Sequence, residues 1–331
     1  MNLKLKKQVF VTRKLPEEGL KIIKDHFNAK IWPSEQPPTK EEIIQNGEQC
    51  DGLVTLLSDP IDRDVIDHLP KLKVIAQYAV GYDNIDVKYA TENGIIVTNT
   101  PGVLTETTAD LTWALIMATA RRITEADRYV RDGKWKVAWG PELLLGTDIY
   151  GATLGIIGMG RIGSSVAKRA AGFDMKILFY NRSVNEFTKE VEKITNAQSV
   201  DLDTLLKNSD IITLHVPLNE KTHHMIGKRE VSLMKQGAIL INTSRGPVVD
   251  ENALHESLAS GHLGGAGLDV FDEEPTKSTN PLLRYPNVVV APHIGSASTK
   301  TRATMAKMCA ENLITGLASK TPPNIVNPEV L

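Results

Sequence analysis

Three short segments carry polar side chains where apolar ones would continue a buried strand: Ile241-Asn242-Thr243-Ser244-Arg245-Gly246, Gly267-Leu268-Asp269-Val270-Phe271-Asp272-Glu273-Glu274-Pro275 and Ala291-Pro292-His293-Ile294-Gly295-Ser296. Each follows a β-type run, and the carboxyl ends of parallel strands are where open α/β sheets place ligands. Arg245, Glu274 and His293 form a set suited to reducing a 2-keto acid. Negative charge grows on the carbonyl oxygen as hydride reaches its carbon, so a proton donor is needed, and histidine titrates ordinarily near neutrality. His293 is the expected acid. A carboxylate on its other ring nitrogen orients the imidazole and favours the imidazolium, the role read for Glu274. The forked donors of Arg245 suit both a substrate carboxylate and the developing oxyanion. Duller readings stand beside these: a turn histidine, a phosphate-contacting or solvated arginine, and a solvated acidic loop at 272–274. Asp269 either caps a loop or accepts from a nicotinamide carboxamide.

A second signal is Gly158-Met159-Gly160-Arg161-Ile162-Gly163, directly after the apolar run Leu154–Ile157 and opening a helix predicted over Ile162 to about Ala171. Glycine at those spacings permits a tight strand-to-helix turn, backbone approach to a pyrophosphate and close helix–strand packing. A dinucleotide is therefore the expected cofactor. The next β-type run, Lys176–Tyr180, ends at Asn181-Arg182-Ser183. An NAD site usually has Asp or Glu there, reading the ribose hydroxyls. Arg182 and Ser183 instead suit a 2′-phosphate, so NADPH is expected, with NADH the weaker cofactor. The alternative is a turn asparagine beside a surface arginine. His215-Val216-Pro217 ends a further strand and is read as lining the cofactor channel, whereas His223 and His224 are read as surface residues.

These residues need a frame. Four β-type runs in the first hundred residues (Val9–Thr12, Gly52–Leu56, Lys73–Ala76, Ile95–Thr98) alternate with helical stretches, and six more follow near 153–157, 176–180, 211–214, 238–242, 265–268 and 287–291. Such alternation predicts α/β architecture: a doubly wound parallel-sheet (Rossmann) cofactor domain plus a discontinuous flavodoxin-like α/β substrate domain. The expected boundaries are 1–103 with 295–331 for the substrate domain and 104–294 for the NADP-binding domain. A last helix, about Ser298–Leu317, is expected to return to the first domain, giving two crossings, a hinge and a cleft for a small ligand.

Composition narrows the partners. The 331 residues are 41% hydrophobic and 24% charged, with 38 Lys and Arg against 40 Asp and Glu. A net charge of −2 argues against nucleic acid or a membrane surface. Cys50 and Cys309 lie far apart without metal-ligand spacing, so neither a disulfide framework nor a metal is expected and a reducing cytoplasm fits. Met1–Lys7 is basic but lacks the apolar stretch of a signal peptide, which again predicts a cytoplasmic protein.

Over essentially its full length the chain resembles the D-isomer-specific 2-hydroxyacid dehydrogenases. The stretches that carry the likeness are Val80-Gly81-Tyr82-Asp83-Asn84-Ile85-Asp86, Asn99-Thr100-Pro101-Gly102, the glycine motif at 158–163, Asn242–Gly246, Gly267–Phe271 with Glu274-Pro275, and Pro292–Gly295. The resemblance implies Arg245, Glu274 and His293 as the reactive triad and substrate carboxylate contacts at the Val80-Gly81 backbone. It also implies cofactor contacts at Thr108, Thr243, Ser244, Arg245, Asp269, His293 and Gly295. Leu56-Leu57-Ser58-Asp59, Leu104–Ala109 and Pro292–Ala297 are most similar to the glyoxylate/hydroxypyruvate reductases, as is an NADPH-type strand end. That likeness implies reduction of glyoxylate to glycolate and of hydroxypyruvate to D-glycerate. Leu57, Tyr82, Trp139 and Ser296 are then expected to set substrate size. Trp135 and Trp139 fall on the arm that such enzymes lay across a two-fold homodimer, with ordinary packing as the alternative. Other substrates in the family (phosphoglycerate, lactate, bulky keto acids) remain open, although the larger phosphoglycerate enzymes, with their extended C-terminal regulatory domain, are not expected. A nucleotide-sensing corepressor-type module also remains open.

Overall fold

The computed structural model describes residues 6–183 and 186–331. The basic start at Met1–Leu5 lies outside the described residues. The chain divides into two compact units, residues 1–104 with 296–331 and residues 105–295.

The first unit runs β1 (Gln8–Val11), α1 (Glu17–His26), β2 (Asn28–Ile31), α2 (Lys40–Gly47), β3 (Gly52–Thr55), α3 (Arg63–Asp67), β4 (Val74–Gln77), α4 (Val87–Glu92) and β5 (Ile96–Thr98). All neighbours pair in parallel, in the order β2-β1-β3-β4-β5, the flavodoxin-like winding. β3 and β4 are buried throughout, because helices cover both faces of the sheet. The chain's last helix, Thr299–Leu317, packs on α1 and on β3, β4 and β5. It buries Met305, Cys309, Leu313 and Leu317, a stripe repeating every four residues, as a helix with one apolar face requires.

The second unit opens with α5 (Thr105–Ala120) and α6 (Ile123–Arg131), then alternates β6 (Thr153–Ile157), α7 (Arg161–Ala170), β7 (Lys176–Tyr180), α8 (Glu186–Thr195), β8 (Gln198–Ser199), α9 (Leu202–Asn208), β9 (Ile211–Leu214), α10 (Lys228–Leu233), β10 (Ile239–Asn242), α11 (Glu251–Ala259), β11 (Gly265–Leu268) and β12 (Val288–Val290). The final helix of the chain, Thr299–Leu317, is α12. The sheet is parallel and ordered β12-β11-β10-β9-β6-β7-β8. Order reverses between β6 and β9, so the loops after these two strands flank the crevice where doubly wound sheets bind nucleotides.

The sheet has seven strands where the sequence pattern marks six. The addition is β8, two exposed edge residues paired to β7, too short to carry an apolar signal. α6 is likewise unmarked: it buries none of its residues, and a left-handed Arg122 (φ 53°) separates it from α5.

Candidate active site

The glycine turn is built by crowding. Gly158 has φ +99°, and a Cβ there would lie 2.7 Å from the His215 carbonyl oxygen, so only glycine fits the turn leaving β6. A Cβ on Gly163 would sit 2.2 Å from the Gly158 carbonyl oxygen, which is how α7 starts so close to the strand. Nothing lies within 4 Å of a Cβ built on Gly160. Gly160 also caps α7 without a side-chain acceptor, leaving an open space before a helix N-terminus. These features fit a dinucleotide pyrophosphate. Asn181, at the end of β7, accepts the Met159 N–H at 2.6 Å and so ties the strand end to the turn. Arg182 and Ser183 are exposed beside it.

His215 follows β9. Its Nε2 shares a hydrogen bond with Thr213 Oγ1 (3.1 Å), and its Nδ1 is buried without a partner among the described residues. Burial pushes the imidazole down to about 3, so it is neutral. Val216 lies beside the Gly158 turn, 3.0 Å from a Cβ built there, and Pro217 follows it, exposed. His223 and His224 are exposed.

Past β10, Asn242 organises the bend that presents Arg245. Its Oδ1 accepts from Ser244 N (3.0 Å) and Ser244 Oγ (2.7 Å), and its Nδ2 donates to the Arg245 carbonyl at 2.8 Å. Arg245 is half-buried, and its Nη1 donates to the Ser244 carbonyl. The Thr243 hydroxyl meets Thr112 Oγ1 at 3.0 Å, and Thr112 in turn donates to the Thr108 carbonyl, tying the strand end to α5. Thr112 stands one helical turn beyond Thr108, a spacing visible in the sequence but not read there.

Past β11 and β12 the links converge. Asp269 is buried, and its carboxylate accepts the N–H groups of Ile294 (2.7 Å) and Gly295 (2.8 Å), while its carbonyl accepts from His293 N. The loop-capping reading of Asp269 is thus present. Burial pushes its carboxyl upward, opposed by the Ile294 amide, by the nearby His293 and by the Gly295 amide. Thr108 Oγ1 donates to the Gly295 carbonyl at 3.2 Å. This bracing holds His293 in a left-handed backbone, φ 52°, a conformation that costs a non-glycine residue about 1–3 kcal/mol. His293 Nδ1 donates to Glu274 Oε2 at 2.6 Å, and Glu274 Oε1 accepts the Phe271 N–H at 3.1 Å. Both side chains keep roughly a third of their surface, 30% and 37%, so the pair can meet a reactant. A Cβ on Gly246 would lie 1.9 Å from the Phe271 carbonyl, which places the segment bearing Arg245 directly on the turn bearing Glu274.

In the first unit, Gln77 Nε2 donates to the Gly81 carbonyl and to Asn84 Oδ1, and Asn84 Nδ2 donates to the Leu56 and Asp59 carbonyls. The segments carrying Leu57 and Val80-Gly81 are thereby tied together. Ser296 accepts from Arg302 Nε through its carbonyl. Trp139, in the second unit, is 76% exposed. Among the described residues no cluster of His, Cys, Asp or Glu could hold a metal ion, and no helix is long and apolar enough to cross a membrane.

A doubly wound nucleotide domain with a braced His–Glu pair at its strand ends defines a dinucleotide-dependent α/β dehydrogenase. Residues 113–295 match the model of the D-isomer specific 2-hydroxyacid dehydrogenase NAD-binding domain, and the chain belongs to that family. It is 57% identical to a glyoxylate reductase of Korarchaeum cryptofilum over 99% of this chain and 98% of that one. A glyoxylate reductase of Thermococcus litoralis is 52% identical over 99% and 98%. Among solved structures, an NADPH-dependent glyoxylate/hydroxypyruvate reductase from Sinorhizobium meliloti in complex with NADP and malonate superposes with TM-score 0.87 at 29% identity, covering 98% of each chain.

Proposed function

We propose that this protein reduces glyoxylate to glycolate and hydroxypyruvate to D-glycerate with NADPH. The observation that carries this reading is the 2.6 Å hydrogen bond from His293 Nδ1 to Glu274 Oε2. Glu274 occupies one ring nitrogen and turns the other, Nε2, into the proton donor. Bound reduced nicotinamide supplies the hydride. His293 delivers its proton to the substrate oxygen as that oxygen gains charge, and Glu274 steadies the imidazolium before transfer. Arg245 clamps the substrate carboxylate and polarises the carbonyl. The Gly158–Gly163 turn receives the pyrophosphate on backbone N–H groups, and Thr108, Thr243, Ser244, Asp269 and Gly295 frame the nicotinamide half. His215, Val216 and Pro217 line the channel. To the Val80-Gly81 backbone we assign contact with the substrate carboxylate, and to Leu57, Tyr82, Trp139 and Ser296 the choice of substrate size.

NADPH is favoured because Arg182 and Ser183 stand exposed where an NAD site would carry an acid. The relatives named glyoxylate reductase support the substrate. A homodimer is supported by the exposed Ile123, Val130, Trp135, Val137, Trp139 and Leu145, large apolar side chains on one stretch of chain that a second copy would cover. Two buried free thiols, Cys50 and Cys309, suit a reducing cytoplasm. The deciding experiment is a panel of glyoxylate, hydroxypyruvate, pyruvate and a bulky 2-keto acid, each with NADPH and NADH, followed by the loss of nicotinamide absorbance. Highest kcat/KM with NADPH and the two small acids is expected, and a preference for NADH or for a bulky acid would overturn the assignment.

A further inference from the structure

Glu274 does not place itself; the turn it stands on is held from outside. Glu251, the first residue of α11, accepts the Asp272 N–H on Oε1 (2.8 Å) and Asn280 Nδ2 on Oε2 (2.9 Å). Asn280 also donates to Thr276 Oγ1 (3.0 Å) and accepts from Leu282 N (3.0 Å). One carboxylate thus fastens both ends of the 272–280 excursion, within which Glu274 lies. Its own mooring is firm. The Asp250 side chain caps α11 through Asn252 N and Ala253 N, and Asp250 N donates to the Ile226 carbonyl.

Charge does not explain this placement. The Asp272 carboxyl is pushed upward, first by burial, then by the like charge of Glu251 and also by Asp250, with His224 and His223 easing it. Glu251 therefore stands among other acids, and its two hydrogen bonds are what favour its position. It is also six positions after Arg245 on a single segment, whose Gly246 already presses on Phe271. That segment carries the carboxylate clamp at one end and fastens the partner of His293 at the other.

We infer that Glu251 is a positioning residue for the proton-donating pair, setting the turn from which Glu274 reaches His293. The inference rests on the reading of that pair given above. The experiment is a double-mutant cycle of E251A, E274Q and E251A/E274Q, with E251Q as the conservative variant, each measured for kcat and for KM of NADPH. Removing both bonds in E251A should lower kcat by about tenfold, the scale seen when a supporting residue of a reactive group is lost. KM for NADPH should move by less than about twofold, since the phosphate turn is untouched. E251Q, which keeps an oxygen for the Asp272 N–H, should recover most of the loss. In the E274Q background E251A should cost less than about twofold, because what it positions is already gone.

Losses that multiply in the double variant, or an unaltered kcat in E251A, would refute the positioning role while leaving the pair intact. Full turnover in E274Q alone would refute the pair and this inference with it. If E251A fails to fold, Asn280→Ala cuts the same clamp from its other side, and its cycle with E274Q decides by the same criteria.

Discussion

Two histidines at strand ends meet opposite fates. Both are half-buried, but His293 has a carboxylate on Nδ1, whereas the Nδ1 of His215 is buried without a partner among the described residues. We expect His293→Ala to lower kcat by about two orders of magnitude or more, the usual scale for a general acid, and near-native turnover would reject the assignment. His215 governs stability instead. Its folded value of about 3 lies below the ordinary 6.5, so an unfolded chain binds the proton more readily. The stability this contributes is complete above about pH 6.5 and is lost as pH falls toward 3. Melting temperatures recorded between pH 7 and pH 4, about the range where unfolded histidine gains its proton, should therefore fall less steeply in His215→Asn than in the native protein. Parallel slopes would contradict a buried neutral imidazole. The sequence marks both residues as strand-end histidines and reads one as acid and one as channel lining. Which of them meets a carboxylate depends on the elements packed around them.

At the scale of elements, the readable ones are those with strong patterns. The strands β6, β9 and β10 are apolar runs because both faces are covered, and α12 repeats its buried residues every four positions. β2 and β8 escape such reading because edge strands are half solvated and short, and α6 because it buries nothing. The close stacking of two loops is likewise silent in sequence until the glycine between them is placed in space. Gly246→Ala would drive a methyl into the Phe271 carbonyl carbon, 1.9 Å away and on rigid backbone. We expect a loss of about 1–3 kcal/mol by denaturant titration, the usual cost of overpacking, together with a lower kcat. Unchanged stability would mean that the two loops are not pressed together as described.

At the scale of the molecule, family membership and the two parallel-sheet α/β domains follow from motifs in order along the chain, and the relatives bear both out. Assembly belongs to this scale as well. The apolar exposure of α6 and of the segment through Trp135, Trp139 and Leu145 favours a second copy of the chain as its cover. Light scattering should report a dimer, and Trp135→Ser with Trp139→Ser should shift it toward monomer. A native protein that runs as a monomer at micromolar concentration would remove the arm from the reading.

Local chemistry is enough to determine the glycine turn, the strand pattern and the residue types that could reduce a keto acid, because each depends on spacing within a few residues. Tertiary structure decided which groups meet: Thr108 with Gly295, Asp269 with Ile294, His293 with Glu274, and Glu251 with both Asp272 and Asn280. Those meetings arise because parallel winding lines up the carboxyl ends of β10, β11 and β12, successive strands each separated by a whole crossover, along one edge. Hydrogen bonds across such gaps are set by the order and register of the strands, which no local pattern of residues encodes.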